Sequence, residues 1–225
     1  MKIKVLGTRG EIEASAPYHS SHSGILLDKK ILLDIGEERF LRYTPEYIFI
    51  THFHPDHAFF VREPEKRTKI KVSIYSPENL KPERPVKIDS YKITPIPTIH
   101  SIKVKSFGYL VEKENKRILY TGDVVWIEKR YHHYFKDLDL VITEGSFYRK
   151  GGMVRRDKKT GKIYGHTGIP NLINLFKRFT SHIALLHFGN WFYKDIKEAR
   201  RKLNKLAKEN KIKITVAYDG LELFI

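Results

Sequence analysis

Short runs rich in β-branched residues recur along the chain, at Ile3 to Leu6, Gly24 to Leu27, Lys30 to Asp34, Tyr47 to Thr51, Lys71 to Tyr75, Tyr91 to Pro97, Phe107 to Val111 and Arg117 to Tyr120. Each is of strand length and bounded by turn residues, so each predicts a strand. Further apolar runs at Leu138 to Thr143, Ile183 to His187 and Lys213 to Ala217 are separated by segments with helical spacing. In Asn171 to Phe179 the apolar residues Leu172, Leu175, Phe176 and Phe179 share one helical face, and Pro170 stands where a helix starts. Asp195 with Glu198 reads as a capping pair opening a helix to about Lys208, whose inner face is Ile196, Ala199, Leu203 and Leu206. The pattern predicts an α/β protein. With no repeat, low-complexity linker or hydrophilic break, residues 1–225 are expected to form a single domain.

Histidines gather where predicted strands end. The segment Ile48 to His57 runs an apolar strand directly into His52-x-His54-x-Asp56-His57. Alternation along an extended backbone points His52 and His54 the same way, and a turn at Pro55 lets Asp56 and His57 face a second nearby position. Neutral imidazoles and a carboxylate suit zinc or a similar transition ion, and this many donors so close together can serve two adjacent ions. Burying such a group of ionisable side chains without a metal would be costly.

The stretch THFHPDH resembles the metal-binding signature of the metallo-β-lactamase superfamily. His100 in IPTIHS, Asp123 in LYTGD and His187 in IALLHFGN match the superfamily's later ligands in order, while LLDIG, with Asp34 and Gly36, resembles its second-strand motif and AYDGLEL its final strand. The resemblance implies a four-layer αβ/βα sandwich, two sheets face to face with helices outside. It further implies that His52, His54 and His100 hold one divalent ion, that Asp56, His57 and His187 hold the other, and that Asp123 bridges them. The ions expected are zinc, with manganese or iron as alternatives. Two such ions outweigh two carboxylates and one hydroxide, leaving a positive centre for a metal-held hydroxide to attack an anionic ester. Glu144 in VITEGSF and His166 in GHTG resemble the pair that protonates the leaving oxygen in the tRNase Z branch. Asp56, Glu144 and His166 are therefore the catalytic candidates. His166 as the last ligand, with His187 in the core, is a second possible assignment.

Composition narrows the reading. The chain has no cysteine, which excludes disulfides, thiolate metal sites and cysteine nucleophiles. No apolar stretch approaches the roughly 20 residues of a membrane span, so a cytoplasmic protein is expected. Glutamine is absent and methionine occurs only twice among many Lys and Glu, a heat-adapted composition. Against 26 acidic side chains stand 42 basic ones, a net charge of +16 that favours anionic partners such as RNA, other nucleic acid or phosphorylated metabolites. Much of the excess falls between Glu144 and His166, where Arg149, Lys150, Arg155, Arg156, Lys158, Lys159 and Lys162 form a predicted basic loop suited to a phosphate backbone. Tyr148 and Tyr164 flank it and could stack on bases. The long arm with which tRNase Z enzymes hold transfer RNA is missing, because His100 and Asp123 are too close together to carry it. The expected function is thus a dinuclear phosphodiesterase acting on RNA, DNA or a small phosphodiester. A lactam, lactone or thioester hydrolase is the enzymatic alternative, and a basic nucleic-acid-binding protein with structural metals is the alternative of another class. The oligomeric state stays open, a homodimer included.

Overall fold

The computed structural model describes residues 1–225 and builds fifteen strands into two mixed sheets and one separate hairpin. The first sheet takes β1 (Lys2–Gly7), β2 (Gly24–Leu27), β3 (Ile31–Leu33), β4 (Tyr47–Phe49) and β5 (Ser73–Tyr75), with β15 (Glu222–Phe224) beside β1 at its edge. The second takes β6 (Val86–Ile88), β7 (Tyr91–Pro97), β8 (Phe107–Lys113), β9 (Lys116–Tyr120), β10 (Leu140–Glu144), β13 (His182–Leu186) and β14 (Lys213–Val216), in the order β14-β13-β10-β9-β8-β7-β6. The hairpin is β11 (Met153–Arg156) paired with β12 (Ile163–His166). The α-helices are α1 (Ile169–Phe176), α2 (Asn190–Lys194) and α3 (Ile196–Asn210).

Strand alternation sorts the apolar side chains into layers. Ile25 and Leu27 of β2, Ile31 and Leu33 of β3 and Phe49 of β4 meet Tyr109, Ile118, Tyr120, Ile142 and Leu186 of the second sheet in the central core. Their neighbours in sequence point the other way. On the second sheet, Leu110, Leu119, Val141, Ile183 and Leu185 pack outward against Leu172 and Phe176 of α1 and Leu203 of α3. On the first, Leu26, Leu32 and Ile48 pack against Phe40 and Phe60. Each fully buried side chain of this kind contributes about 1.5–3 kcal/mol. The result is the four-layer sandwich that the resemblance implies. The layer over the first sheet consists of 3₁₀ turns, Glu38–Tyr43, Phe59–Val61 and Pro64–Lys69, the first two stopped from extending by Pro45 and Pro64 just beyond their ends.

Two parts of the fold place the site. Strands β3, β4 and β5 run parallel, as do β9, β10, β13 and β14, so the carboxyl ends within each set lie along one rim. The basic stretch predicted as a loop is a hairpin, with Met153 opposite His166 and Arg156 opposite Ile163. The cap on α3 forms as expected, Asp195 Oδ1 accepting from Glu198 N at 2.9 Å. The strand expected from Lys71 begins at Ser73, and the one expected from Leu138 begins at Leu140.

Candidate metal centre and active site

The strand ends deliver the side chains. Beyond β4, Thr51 N donates to Asp34 Oδ1 at 2.7 Å, fixing the point where the chain turns into His52. Asp123 follows β9 after Gly122, whose φ of +57° and close approach to Thr51 leave no room for a side chain. His187 leaves β13 with φ 54°, and Asp34 leaves β3 with φ 58°. Such left-handed geometry costs of order 1–3 kcal/mol in a non-glycine residue and here aims both side chains at the rim.

Two groups of donors result. His52, His54, His100 and Asp123 bring ligand atoms within 4.8 Å of one another, and so do Asp56, His57, Asp123 and His187, with Asp123 common to both. All but His54 are buried. The outer nitrogens fix the tautomers. His100 Nδ1 donates to the Gly165 carbonyl at 2.9 Å. Thr51 Oγ1 gives its proton to Asp34 and so accepts from His52 Nδ1 at 3.0 Å. His57 Nδ1 donates to Asp34 Oδ2 at 2.7 Å, and His187 Nδ1 to Ser146 Oγ at 2.9 Å. Each of these rings therefore turns an Nε2 lone pair inward. His52 Nε2 and His100 Nε2 converge on His54 Nδ1 at 3.1 and 3.2 Å, while His57 Nε2 and Asp123 Oδ1 are buried with no hydrogen-bond partner. Converging lone pairs and orphaned acceptors repel one another, and cations between them would satisfy them all. The donor set fits divalent transition ions.

The electrostatics agree. Burial, reinforced by His57, holds His52 well below the ordinary histidine range, and burial with His100 holds His54 down at about 4, so both stay in the neutral, ligating form. His57 behaves oppositely. Burial opposes its charging, but the carboxylates of Asp123, Asp56 and Asp34 outweigh burial and raise it. That pull is the one they would exert on any cation among them.

A third group borders this one. His166 Nδ1 donates to Glu144 Oε2 at 2.8 Å, and Glu144 Oε1 accepts from Val124 N at 2.6 Å. Glu144 is buried at the end of β10, and His166, at the end of β12, lies with its Nδ1 3.8 Å from Asp123 Oδ2. Burial alone would make His166 harder to charge. The Glu144 and Asp123 carboxylates reverse this and raise it to about 9.

A cavity of about 520 Å³ opens on these groups, lined by His54, Asp56, Asp123, His166 and His187 together with Phe147, Met153 and Trp191. The structure thus brings together every sequence-predicted ligand and the Glu144–His166 pair. His187 sits among the donors, 2.7 Å from Asp56, rather than in the core. Arg149, Lys150, Arg155, Arg156, Lys158, Lys159 and Lys162 are all exposed on or beside the hairpin, and none lines the cavity. Tyr148 packs on Trp191, with ring centroids 5.3 Å apart. His19 and His22 are buried and do not line the cavity. His19 is clamped between Thr8 and Arg200, and His22 against Glu37. Sequence reasoning did not find Trp191 or Asn190, which line the cavity from the single turn of α2, nor the part played by Tyr120, whose hydroxyl donates to Asp34 at 2.6 Å.

The sequence profile of the beta-lactamase superfamily domain matches residues 41–188. No curated protein matches the chain. Among solved structures, the metallo-beta-lactamase fold protein YhfI from Bacillus subtilis is 17% identical, with a TM-score of 0.71 over 99% of this chain and 98% of its own. Human tRNase Z, short form, is 18% identical, with a TM-score of 0.64 over 100% and 99% of the two chains. A diphosphatase from the PhnP family is 15% identical, with a TM-score of 0.68 over 100% and 97%.

Proposed function

The chain belongs to the metallo-β-lactamase superfamily of metal-dependent hydrolases, and we propose that within it the protein is a phosphodiesterase acting on RNA, DNA or a small phosphodiester. His52, His54 and His100 would hold one divalent ion, Asp56, His57 and His187 the other, and Asp123 both, with zinc the best match to so many imidazoles. Ions so held supply a water ionised near neutral pH and an electrophilic clamp on the phosphoryl oxygens.

The chain's own groups do the rest. Asp56, facing the cavity, orients the attacking water. His166 hands its Nε2 proton to the departing oxygen, and Glu144, pinned by Val124 N, keeps the Nδ1 proton and holds the ring in place. The Glu144–His166 contact is the observation that carries the reading. An alkoxide leaving an unactivated diester needs a proton, whereas the thiolate of a thioester departs without one. The exposed charges of the hairpin, Arg149 to Lys162, support a polynucleotide as substrate through several phosphate contacts.

Elemental analysis together with a substrate panel tests the proposal. Two zinc ions per chain are expected, with turnover of bis(4-nitrophenyl) phosphate and little or none of a lactam or a thioester. Metal-replete protein that leaves every diester intact, or a His54→Ala variant that keeps full occupancy, would overturn it.

A further inference from the structure

Part of the active-site cavity takes no part in this chemistry. Beside the ligands it is lined by Ile12, Phe147, Met153 and Trp191. Trp191 is a fixed plate: its Nε1 donates to the Gly145 carbonyl at 2.8 Å, and its ring is backed by Tyr148 and by the edge of Phe192, with centroids 5.8 Å apart in the latter pair. The Phe147 ring lies 5.9 Å from that of His166, and Met153 faces His166 across the hairpin, so this apolar wall flanks the proton donor. No lysine or arginine lines the cavity, and its one further charged residue, Glu11, is paired with Arg62. Asn190 adds a side-chain amide.

We propose that this wall seats a nucleobase, so that the phosphodiester at the metal centre carries a nucleoside inside the cavity and no second phosphate enters with it. The inference rests on the phosphodiesterase reading and narrows it. Aromatic faces and a thioether favour a flat, polarisable group, and every base offers one. Because no lysine or arginine lines the cavity beyond the metal ligands and His166, a second phosphate would be stripped of water without a partner of its own. Further phosphates of a polynucleotide stay outside, where the basic hairpin is exposed. A volume of about 520 Å³ suits one nucleotide and not a stacked duplex.

Two measurements on the zinc-loaded enzyme test the seat. In a Trp126→Phe background Trp191 is the only tryptophan, and its fluorescence reports occupancy. Thymidine 5′-monophosphate should quench it and bind roughly 5- to 150-fold more tightly than ribose 5-phosphate, which has the same charge but no base. Met153→Ala and Phe147→Ala should each shrink that ratio. In turnover, thymidylyl-thymidine should exceed its analogue lacking one base by a similar factor in kcat/KM. Equal binding of the two monophosphates together with equal turnover of the two diesters overturns the base seat. If bis(4-nitrophenyl) phosphate is still hydrolysed in that case, the phosphodiesterase reading stands and only the seat is lost. If no diester is hydrolysed, both fall.

Discussion

Replacing Asp34 by Asn should loosen the metal centre from a position that touches no metal. The Asp34 carboxylate is completely buried and accepts from Thr51 N, Thr51 Oγ1, His57 Nδ1 and Tyr120 OH at 2.7, 2.9, 2.7 and 2.6 Å. An asparagine amide has one acceptor oxygen and one NH₂ that can only donate. If the NH₂ takes the Oδ1 place, the buried Thr51 N–H loses its acceptor. In the Oδ2 place it confronts His57, whose proton must then move to Nε2 and block the lone pair that faces Asp123. Either outcome costs about 1–3 kcal/mol of stability. For a chain of this size that corresponds to a fall of about 2–12 °C in the Tm of metal-free protein. Loss of the carboxylate behind a ligating histidine should also weaken zinc binding by about 10- to 100-fold. Scanning calorimetry of chelator-treated protein gives the first number, and competition with a zinc-binding dye gives the second. A variant whose Tm moves by less than about 1 °C and whose zinc affinity changes less than about twofold would refute the tautomer argument. A lowered Tm with unchanged zinc affinity would confine Asp34 to packing.

Three further outcomes are expected. His166→Ala and Glu144→Ala should retain bound metal but slow unactivated diesters by about 10²- to 10⁴-fold, with far smaller losses on nitrophenyl esters; equal losses on both, measured side by side, would remove the proton-donor role. Neutralising Arg155, Arg156, Lys158 and Lys159 should weaken single-stranded RNA binding and flatten its salt dependence by about 0.7 log units per lost phosphate contact, while bis(4-nitrophenyl) phosphate turnover stays the same; titrations at several salt concentrations in which parent and variant match would reduce the hairpin charges to a solvated surface. His19 is held down at about 4 by burial and Arg200, and His182 at about 4 by burial and Lys213, so both are neutral when folded but take a proton when unfolded below pH 6.5. Their contribution to stability is therefore complete above that pH and lost as pH falls towards 4; in Tm measurements across that range a His19→Gln, His182→Gln double variant should lose less than the parent, and parallel curves would contradict the linkage.

How far the site could be read from the sequence depended on whether a residue's neighbours in the chain were also its neighbours in space. His52, His54, Asp56 and His57 are one strand end, so their spacing marked them, whereas His100, Asp123 and His187 each close an apolar run and were marked by the resemblance to the superfamily. Tyr120 is different. It reads as an ordinary strand residue, and its bond to Asp34 spans two sheets. Trp191 and Asn190 sit on a single helical turn too short to show a periodicity. Strands β11 and β12 escaped because neither has a fully buried face, and a hairpin without one gives no alternation to read. The 3₁₀ cover of the first sheet was missed for a related reason, its apolar anchors Phe40 and Phe60 lying in turns of three to six residues, too short to show a helical period.

His100 and Gly165 are joined twice, by the ring proton given to the Gly165 carbonyl and by Gly165 N donating to the His100 carbonyl at 2.7 Å. Gly165 has φ +108° and lies so close to the Met153 carbonyl that no side chain fits, so the hairpin cannot shift at this point without carrying the imidazole with it. With an ion on His100 and a strand on the hairpin, as proposed, metal occupancy and hairpin position would be linked, and linkage is reciprocal. Whatever factor a bound metal contributes to the hairpin's hold on an anionic strand, that strand returns to the metal's affinity. A chelator would then be a competitor of the polynucleotide without ever meeting it.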